Sequence, residues 1–193
     1  MLWNIVCSFF GGFWGIRERI NKTKFVVGKQ ILIGIYTLYL QEKCCYIGYD
    51  TRFAGRATFP HGFFGVFISG DAILGKNCVI FHNVTIGSNT LPDSKKTGSP
   101  KIGNNVFIGA GATIIGGITI GDNCRIGANC TLSRDVPPDC LVVMEKPHII
   151  HKENMNNKYY SYSEKGWIYF NDGIPTLETD TNVVELLNSK FNK

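Results

Sequence analysis

Four histidines supply the side chains of this 193-residue chain that exchange a proton near neutral pH. His61 and His82 lie 21 residues apart in the middle of the chain, and His148 and His151 follow much later. A neutral imidazole accepts the proton of a hydroxyl group, so each histidine is a candidate general base. No motif surrounds His148 or His151, and we expect both to be solvated surface residues. The candidate chemistry therefore centres on His61 and His82.

The segments that must position these histidines repeat every six residues. In the stretch IGAGATIIGGITIGDNCRIGANCTL an aliphatic residue recurs at this interval, at Ile108, Ile114, Ile120, Ile126 and Leu132. Neither an α-helix nor an ordinary β-strand has that period, and self-similarity at a fixed short interval indicates a solenoid. Three six-residue units, each with one short strand and one corner, complete a turn of a triangular parallel β-helix. The aliphatic residues then stack inside the coil.

The repeat extends beyond this stretch and is interrupted twice. An earlier block covers residues 68–86, and three residues are inserted between Phe59 and that block. Ten residues more than the frame requires, 88–97, precede Ile102, so we expect a loop within 88–101 to leave the coil. A second inward row of mostly small residues is predicted four positions after the aliphatic ones: Val106, Ala112, Ile118, Cys124, Cys130 and Val136. About four coils result.

This frame predicts that His61 and His82 are neighbours. Each histidine occupies the third position of its six-residue unit. Of the 21 residues that separate them, three belong to the insertion, and the remaining 18 make one full coil. The two rings should therefore lie one above the other, about 4.8 Å apart, on an outer surface of the coil. Such a pair predicts an acceptor site.

The flanking segments lack the six-residue frame. Residues 1–45 place apolar side chains near helical spacing and predict one or two amphipathic helices, through Ile31, Leu32, Ile35, Leu38 and Tyr39. The extension 151–193 predicts a short hairpin or packing strand and then a helix opened by the capping pair Asn182 and Glu185. The sequence thus predicts a mainly β chain with helices at 1–45, a β-helix at 46–150 and a C-terminal extension.

Composition and charge argue against a nucleic-acid-binding, disulfide-linked, secreted or membrane-spanning protein. The net charge of +5 is mild, and no basic stripe alternates with aromatic residues, so we expect no nucleic-acid partner. Seven cysteines form neither a disulfide framework nor CxxC pairs, which favours a reducing, cytoplasmic location. The apolar segment 1–22 fits a signal peptide poorly, and 25–40 falls short of the roughly 20 residues that span a bilayer. The N-terminal segment is expected to pack on the end of the coil or on a neighbouring chain, with peripheral docking at a membrane as the alternative.

Four segments carry a resemblance to a known family: GYDTRFAGRATFPHGFFGVFI (48–68), CVIFHNVTIG (78–87), GSPKIGNNVFIGAGATIIGGITIG (98–121) and RIGANCTLSRDVPPDCLVVMEKP (125–147). They resemble the hexapeptide acyltransferases, and among these the serine-acetyltransferase-like branch that acetylates sugars of bacterial surface polysaccharides. The resemblance implies a left-handed β-helix, although parallel crossovers are usually right-handed. It also implies a homotrimer that binds acetyl-CoA in the groove between neighbouring chains.

The resemblance assigns roles to individual residues. His61 aligns with the catalytic base of the family, and His82 either takes part in the chemistry or positions the substrate. Ala110 and Ala128 match positions whose backbone amides bind pantetheine, and Gly111 keeps the groove open. Two basic residues further along are candidates for the nucleotide phosphates or else solvated surface charges: Arg125 and Lys146.

The acceptor side departs from the serine enzymes. Pro60 replaces the aspartate that precedes their catalytic histidine, and Gly98-Ser99 replaces an Arg-His pair that contacts substrate. Asp50 and Asp71 are candidates to orient His61, with turn capping as the alternative for both. These departures remove most of the polar contacts to a free amino acid.

The sequence therefore predicts an acetyl-CoA-dependent O-acetyltransferase that modifies a sugar hydroxyl of a bacterial surface polysaccharide or its precursor. Substrate contacts are expected at Asp50, Asp71 and Ser99. Serine O-acetylation and a non-catalytic trimeric scaffold are the alternatives. No metal is expected, because a zinc site on this coil would need three imidazoles and the repeat contains two.

Overall fold

The computed structural model describes residues 2–145 and 156–191. The chain divides into two compact units, residues 1–146 and 147–193. The first unit contains three helices followed by a coil of very short strands, and the second contains a small sheet and a helix. The N-terminal helices and the coil thus belong to one unit.

The coil consists of two- and three-residue strands separated by corners. Over the described residues of the first unit these are β1 Tyr46–Ile47, β2 Arg52–Phe53, β3 Phe67–Ile68, β4 Ile73–Leu74, β5 Val79–Ile80, β6 Thr85–Gly87, β7 Lys101–Ile102, β8 Phe107–Ile108, β9 Thr113–Ile115, β10 Thr119–Ile120, β11 Arg125–Ile126, β12 Thr131–Leu132 and β13 Leu141–Val142. They pair in parallel as three sheets, β1-β3-β6-β9-β12, β2-β4-β7-β10 and β5-β8-β11-β13. Because successive strands usually fall on different sheets, the coil is three-sided, as the six-residue frame predicts.

The interior of the coil is a stack of aliphatic side chains. Ile108 of β8 pairs with Ile126 of β11, one full coil of 18 residues further on. Eight residues of the first aliphatic row have no solvent-exposed surface: Ile68, Leu74, Ile80, Ile86, Ile108, Ile114, Ile120 and Ile126. The second inward row, from Val106 to Val136, is also buried. Both predicted rows of the core are confirmed.

Hydrogen bonds between amide side chains connect successive coils along one corner. Asn77, Asn105 and Asn123 lie in the left-handed backbone region, with φ between 55° and 58°, which asparagine tolerates better than most residues. Each donates a side-chain hydrogen bond to the next coil, from Asn77 to Asn105 (3.1 Å), from Asn105 to Asn123 (3.1 Å) and from Asn123 to Asp139 (2.9 Å). The ladder fixes the rise from coil to coil on this edge.

Three helices, rather than the one or two predicted, precede the coil: α1 Leu2–Phe9, α2 Gly12–Lys22 and α3 Val26–Glu42. Gly11 and Gly12 adopt positive φ and separate α1 from α2. The buried side of α3 carries Tyr36, Tyr39 and Leu40. Ile31 and Leu38, which the spacing placed with the apolar stripe, are exposed instead. That part of the prediction is wrong because almost every position of α3 is apolar, so the sequence does not distinguish its faces.

A buried arginine joins α2 and α3 to the coil. Arg17 of α2 donates hydrogen bonds to the Tyr36 hydroxyl (2.9 Å) and to the carbonyls of Gly48 and Thr51 (both 2.6 Å). The Tyr36 hydroxyl in turn donates to the Ile47 carbonyl at 2.8 Å. Burial raises the pKa of Tyr36, so the hydroxyl keeps its proton and this relay stays complete.

In the second unit, three strands form an antiparallel sheet in the order β14-β15-β16, and a helix follows: β14 Tyr160–Ser163, β15 Gly166–Asn171, β16 Ile174–Leu177 and α4 Thr181–Phe191. The helix cap differs from the prediction. Asp180, not Asn182 with Glu185, accepts hydrogen bonds from the first-turn amides of Asn182 (3.0 Å) and Val183 (3.5 Å). An aspartate directly before the helix satisfies free N–H groups and the positive end of the helix dipole together.

Candidate active site

Four residues of the predicted site share one corner of the coil. His61, His82, Ala110 and Ala128 each occupy the third position of a six-residue unit, directly after the sheet that contains β5, β8 and β11. We call this column the histidine corner. Backbone bonds run along it, because the amide next to Ala110 donates to the His82 carbonyl (3.1 Å) and the amide next to Ala128 donates to the Ala110 carbonyl (2.8 Å). The predicted base and the predicted coenzyme positions therefore lie in line.

The two histidine rings of this corner are in direct contact. Nδ1 of His61 lies 3.0 Å from Nδ1 of His82, the ring centroids are 5.1 Å apart, and His61 is exposed whereas His82 is half-buried. The spacing expected for neighbouring coils is present. A hydrogen bond between two Nδ1 atoms requires one N–H donor and one lone pair, so one ring presents a free lone pair at Nε2 and the other presents an N–H there. The pair offers a proton acceptor and a proton donor side by side.

The inserted residues that carry His61 are held by aromatic packing. Phe63 packs against Phe13 of α2 (ring centroids 4.6 Å apart) and against Phe59 (4.7 Å). The rings of Phe81 and His61 pack edge to face, with their centroids 5.1 Å apart. Gly65 closes the insertion at φ 66°, where a side chain would collide with the Asn83 amide oxygen. These contacts restrict where the His61 ring can lie.

His61 also lines a cavity of about 420 Å³ between the insertion and the helices α1 and α3. The lining residues combine aromatic surfaces with a few polar groups: Asn4, Tyr39, Glu42, Lys43, His61, Gly62, Phe63 and Phe64. Four of these eight residues are polar or charged, and apolar surfaces combined with convergent polar groups are typical of small-molecule sites. The cavity is a candidate acceptor site.

Glu42 supplies the carboxylate of this cavity, and sequence reasoning missed it. Its side chain accepts hydrogen bonds from the first amides of α1, Trp3 N–H at 3.0 Å and Asn4 N–H at 3.2 Å. Glu42 is thus a cap for α1 as well as part of the cavity wall. Because 38 or more residues separate Glu42 from Trp3 and Asn4, no local sequence pattern predicts this contact.

The three predicted acceptor contacts lie elsewhere among the described residues. Asp50 folds against Gly70 and lines a separate cavity of about 560 Å³ beside Arg52 and Arg56. Asp71 is exposed on a corner. The Ser99 hydroxyl lies 2.6 Å from that of Ser88, which meets Ser69 at 2.5 Å. None of Asp50, Asp71 and Ser99 lines the cavity beside His61.

The coenzyme candidates have mixed surroundings. Ala110 and Gly111 are half-buried, and Ala128 is exposed. The Arg125 guanidinium lies 5.8 Å from the Phe107 ring centroid, and Phe107 in turn contacts Phe81, the neighbour of His61. A row of side chains thus leads from His61 to Arg125 along the coil surface. Lys146 lies outside the described residues, as do His148 and His151.

Two negative findings apply to residues 2–145 and 156–191. No group of three or more histidine, cysteine, aspartate or glutamate side chains is placed to hold a metal ion. None of the helices there has the length and apolar character needed to cross a membrane. The cysteines in this part of the chain are all free.

Comparison with known proteins identifies the coil. The "bacterial transferase hexapeptide (six repeats)" family model matches residues 99–134. A curated serine acetyltransferase of Synechococcus elongatus is 40% identical over 101 residues, which cover 52% of this chain and 41% of that protein. The putative colanic acid biosynthesis acetyltransferase WcaB of Escherichia coli is 36% identical over 109 residues, which cover 54% and 65%. Over its coil the chain is similar to the hexapeptide-repeat acyltransferases.

A solved hexapeptide-repeat structure agrees with this assignment. The crystal structure of serine acetyltransferase isoform 3 from Entamoeba histolytica, in complex with cysteine, aligns with a TM-score of 0.58 at 31% identity. The alignment covers 74% of this chain and 50% of that structure. The chain thus spans less than two thirds of each of these relatives.

Proposed function

We propose that this hexapeptide-repeat chain is an acetyl-CoA-dependent O-acetyltransferase that modifies a sugar hydroxyl of a surface polysaccharide or its precursor. The observation that carries the proposal is the contact of His61 and His82 at 3.0 Å beside a cavity, in line with the small residues Ala110 and Ala128. Transfer from a thioester to a hydroxyl needs a base at the hydroxyl and a channel for the thioester arm. The histidine corner offers both.

In the proposed reaction, Nε2 of His61 removes the hydroxyl proton of the acceptor while the oxygen attacks the thioester carbonyl. The tetrahedral intermediate collapses as the carbon–sulfur bond breaks, and the His61 imidazolium returns the proton to the leaving thiolate. The products are the acetyl ester and free coenzyme A. No covalent enzyme intermediate is required, because holding both substrates together already supplies much of the rate.

His82 takes the place of the usual carboxylate partner in this proposal. When Nδ1–H of His61 donates to Nδ1 of His82, the His61 lone pair is left at Nε2, where the acceptor is attacked. The same hydrogen bond persists after His61 takes up a proton and then stabilises the imidazolium. His82 is therefore a positioning residue that acts through His61.

A saccharide acceptor is supported by the cavity walls. Tyr39, Phe63 and Phe64 give the cavity aromatic surfaces, against which the apolar faces of sugar rings pack. The match also covers a larger share of the colanic acid acetyltransferase than of the cyanobacterial serine enzyme. Gly98 and Ser99 stand where the resembled serine enzymes have a charged pair.

Serine O-acetylation is the second candidate. The cavity contains one cation and one carboxylate, Lys43 and Glu42, which suit the two charges of a free amino acid. Glu42 already accepts two backbone hydrogen bonds from α1, which reduces its capacity to hold a substrate ammonium. A scaffold without turnover is the third possibility.

The family also supports a left-handed coil and a homotrimer with acetyl-CoA between chains. Asp71 and Ser99 reach an acceptor in this proposal only through a cleft that a second chain completes. Purified protein incubated with acetyl-CoA and either L-serine or a surface glycan separates the candidates by release of free thiol. Release with the glycan alone supports the proposal, release with serine alone replaces it, and no release with either favours the scaffold.

A further inference from the structure

The outward surfaces of α1 and α3 expose large apolar side chains among uncharged polar ones and carry no exposed charge. Every exposed residue of these two helices is uncharged. We call the large apolar members the uncharged face: Leu2, Ile5, Phe9, Val26, Val27, Ile31 and Leu38. Phe9 is 79% exposed and Ile31 is 59% exposed, and the two helices pack against each other. A soluble monomer rarely exposes a continuous apolar surface of this kind unless something binds it.

Positive charge borders one end of the uncharged face. Lys22 and Lys24 precede Phe25, which is 70% exposed, and Lys29 follows within the first turn of α3. Residues 1–45 contain six basic and two acidic residues, so they hold +4 of the +5 net charge of the chain. Lys22 and Lys24 are exposed, Lys29 is half-buried, and Lys22 pairs with Glu18 at 2.6 Å. Lysines next to exposed apolar side chains suit an anionic lipid surface, with the lysines at the headgroups and the apolar groups below them.

Members of the uncharged face lie close in the chain to residues that line the cavity beside His61. Leu38 lies one helical turn before Glu42, and Ile5 follows Asn4. Phe64, which also lines the cavity, is 62% exposed. A surface that covered α1 and α3 would therefore lie next to the cavity opening.

We propose that the uncharged face docks onto an anionic lipid bilayer and so holds the cavity beside His61 against an acceptor that is carried by a lipid. Docking lies in the plane of the interface, because the described helices are too short or too polar to span it. The statement about the acceptor rests on the proposed function, whereas the docking itself does not.

The docking is tested by co-sedimentation with vesicles of phosphatidylcholine alone or mixed with phosphatidylglycerol. We expect wild type to bind the mixed vesicles, and Val27→Glu/Ile31→Glu to lose at least about tenfold in binding. Leu91→Glu, at an equally exposed apolar residue of the extruded loop, is the control and should bind normally. Lys24→Gln/Lys29→Gln should weaken binding to the anionic vesicles specifically.

Three results would overturn the docking proposal. The docking proposal is contradicted if the wild-type protein binds neither kind of vesicle, or if it binds neutral and anionic vesicles equally well. A smaller oligomer for Val27→Glu/Ile31→Glu in light scattering without lipid also contradicts it, since the face would then be a contact between copies of this chain.

The acceptor is tested with one glycan in two forms, free in solution and attached to a lipid in the mixed vesicles. Val27→Glu/Ile31→Glu should lower kcat/KM at least about tenfold for the vesicle-borne glycan and leave the free glycan unaffected. An equal loss with both forms would show that the face supports the fold and not the docking. Wild type that acetylates neither form would refute the proposed function, while the vesicle measurement would still report on docking.

Discussion

The Nδ1 atoms of His61 and His82 lie 3.0 Å apart although 21 residues separate them in the chain. One coil of the repeat and a three-residue insertion bring the rings together, and Phe81 supports His61 from the side. Because the shared hydrogen bond admits only one Nδ1 proton, the two rings have complementary protonation. This pair determines the first two predictions.

His61→Ala should lower the rate of acetyl transfer by about 10²-fold or more, because the variant has no group to remove the hydroxyl proton. The measurement is release of free coenzyme A with saturating acceptor. The folded state should be unchanged, since the ring is exposed and lies outside the core. Thioester consumption equal to that of wild type would exclude His61 as the base.

His82→Ala should lower the rate by roughly tenfold or more, and His82→Asn, which retains a hydrogen-bond acceptor, should recover part of the loss. If His82 acts through His61, the double variant His61→Ala/His82→Ala should be no slower than His61→Ala alone. Losses that multiply in the double variant would show that His82 acts on the substrate independently. The measurement is kcat and its dependence on pH for the wild type and for the four variants.

Ala128→Leu should raise the KM for acetyl-CoA about tenfold, equivalent to ~1.4 kcal/mol, because the larger side chain extends from an exposed position of the histidine corner into the space proposed for the thioester arm. Lys76→Leu is the matched control, since Lys76 is exposed and holds the third position of its unit on a different corner. Initial rates at varied acetyl-CoA decide the matter. An unchanged KM for Ala128→Leu would place the thioester arm elsewhere.

Ile114→Ala should reduce the free energy of unfolding by about 2–5 kcal/mol, because the residue has no exposed surface and its loss leaves a cavity in the stack. Its neighbour Ile115 is 38% exposed, and Ile115→Ala should cost about 0.5 kcal/mol or less. Urea denaturation compares the two variants. Equal costs would mean that the inside and outside of β9 are assigned wrongly or that another chain covers Ile115.

The C-terminal unit should lose stability in acid through Glu178. Hydrogen bonds from Lys158 (2.8 Å), from the Asp180 amide (3.0 Å) and from Tyr160 (2.7 Å) lower the pKa of Glu178 to about 2. Since the folded pKa lies below the ordinary value of about 4.3, the contribution is complete above that value and is lost as the pH falls towards 2.

Glu178→Gln should therefore flatten the pH dependence of this unit between about pH 5 and pH 2. The indole N–H signal of Trp167, which is buried and donates to Asn188 at 2.9 Å, reports on its folding by NMR. Glu164→Gln, at an exposed glutamate of the same unit, is the control. A wild-type signal that is constant down to pH 2 would contradict the role of Glu178.

Contacts that depend on the repeat were predictable from sequence. A period of six leaves few arrangements for the backbone, so the buried rows and the neighbouring coils follow from counting. The same counting placed His61 over His82 once the three inserted residues were removed. Contacts outside the repeat could not be predicted in this way, because no regular spacing relates the residues that form them. The carboxylate that lines the cavity beside His61 is Glu42 on α3, whereas the sequence analysis considered Asp50 and Asp71.

By itself, the sequence determined the three-sided coil, its aliphatic core and the pairing of the two histidines, because each depends on regular spacing along the chain. Only the tertiary structure decided that the helices α1 and α3 form a wall of the cavity, that Ile31 and Leu38 point outward, and that Asp180 caps α4. A helix with apolar residues on several sides can bury its apolar surface in more than one orientation. The orientation that forms depends on contacts between residues distant in sequence, such as Arg17 with Gly48 and Glu42 with Trp3.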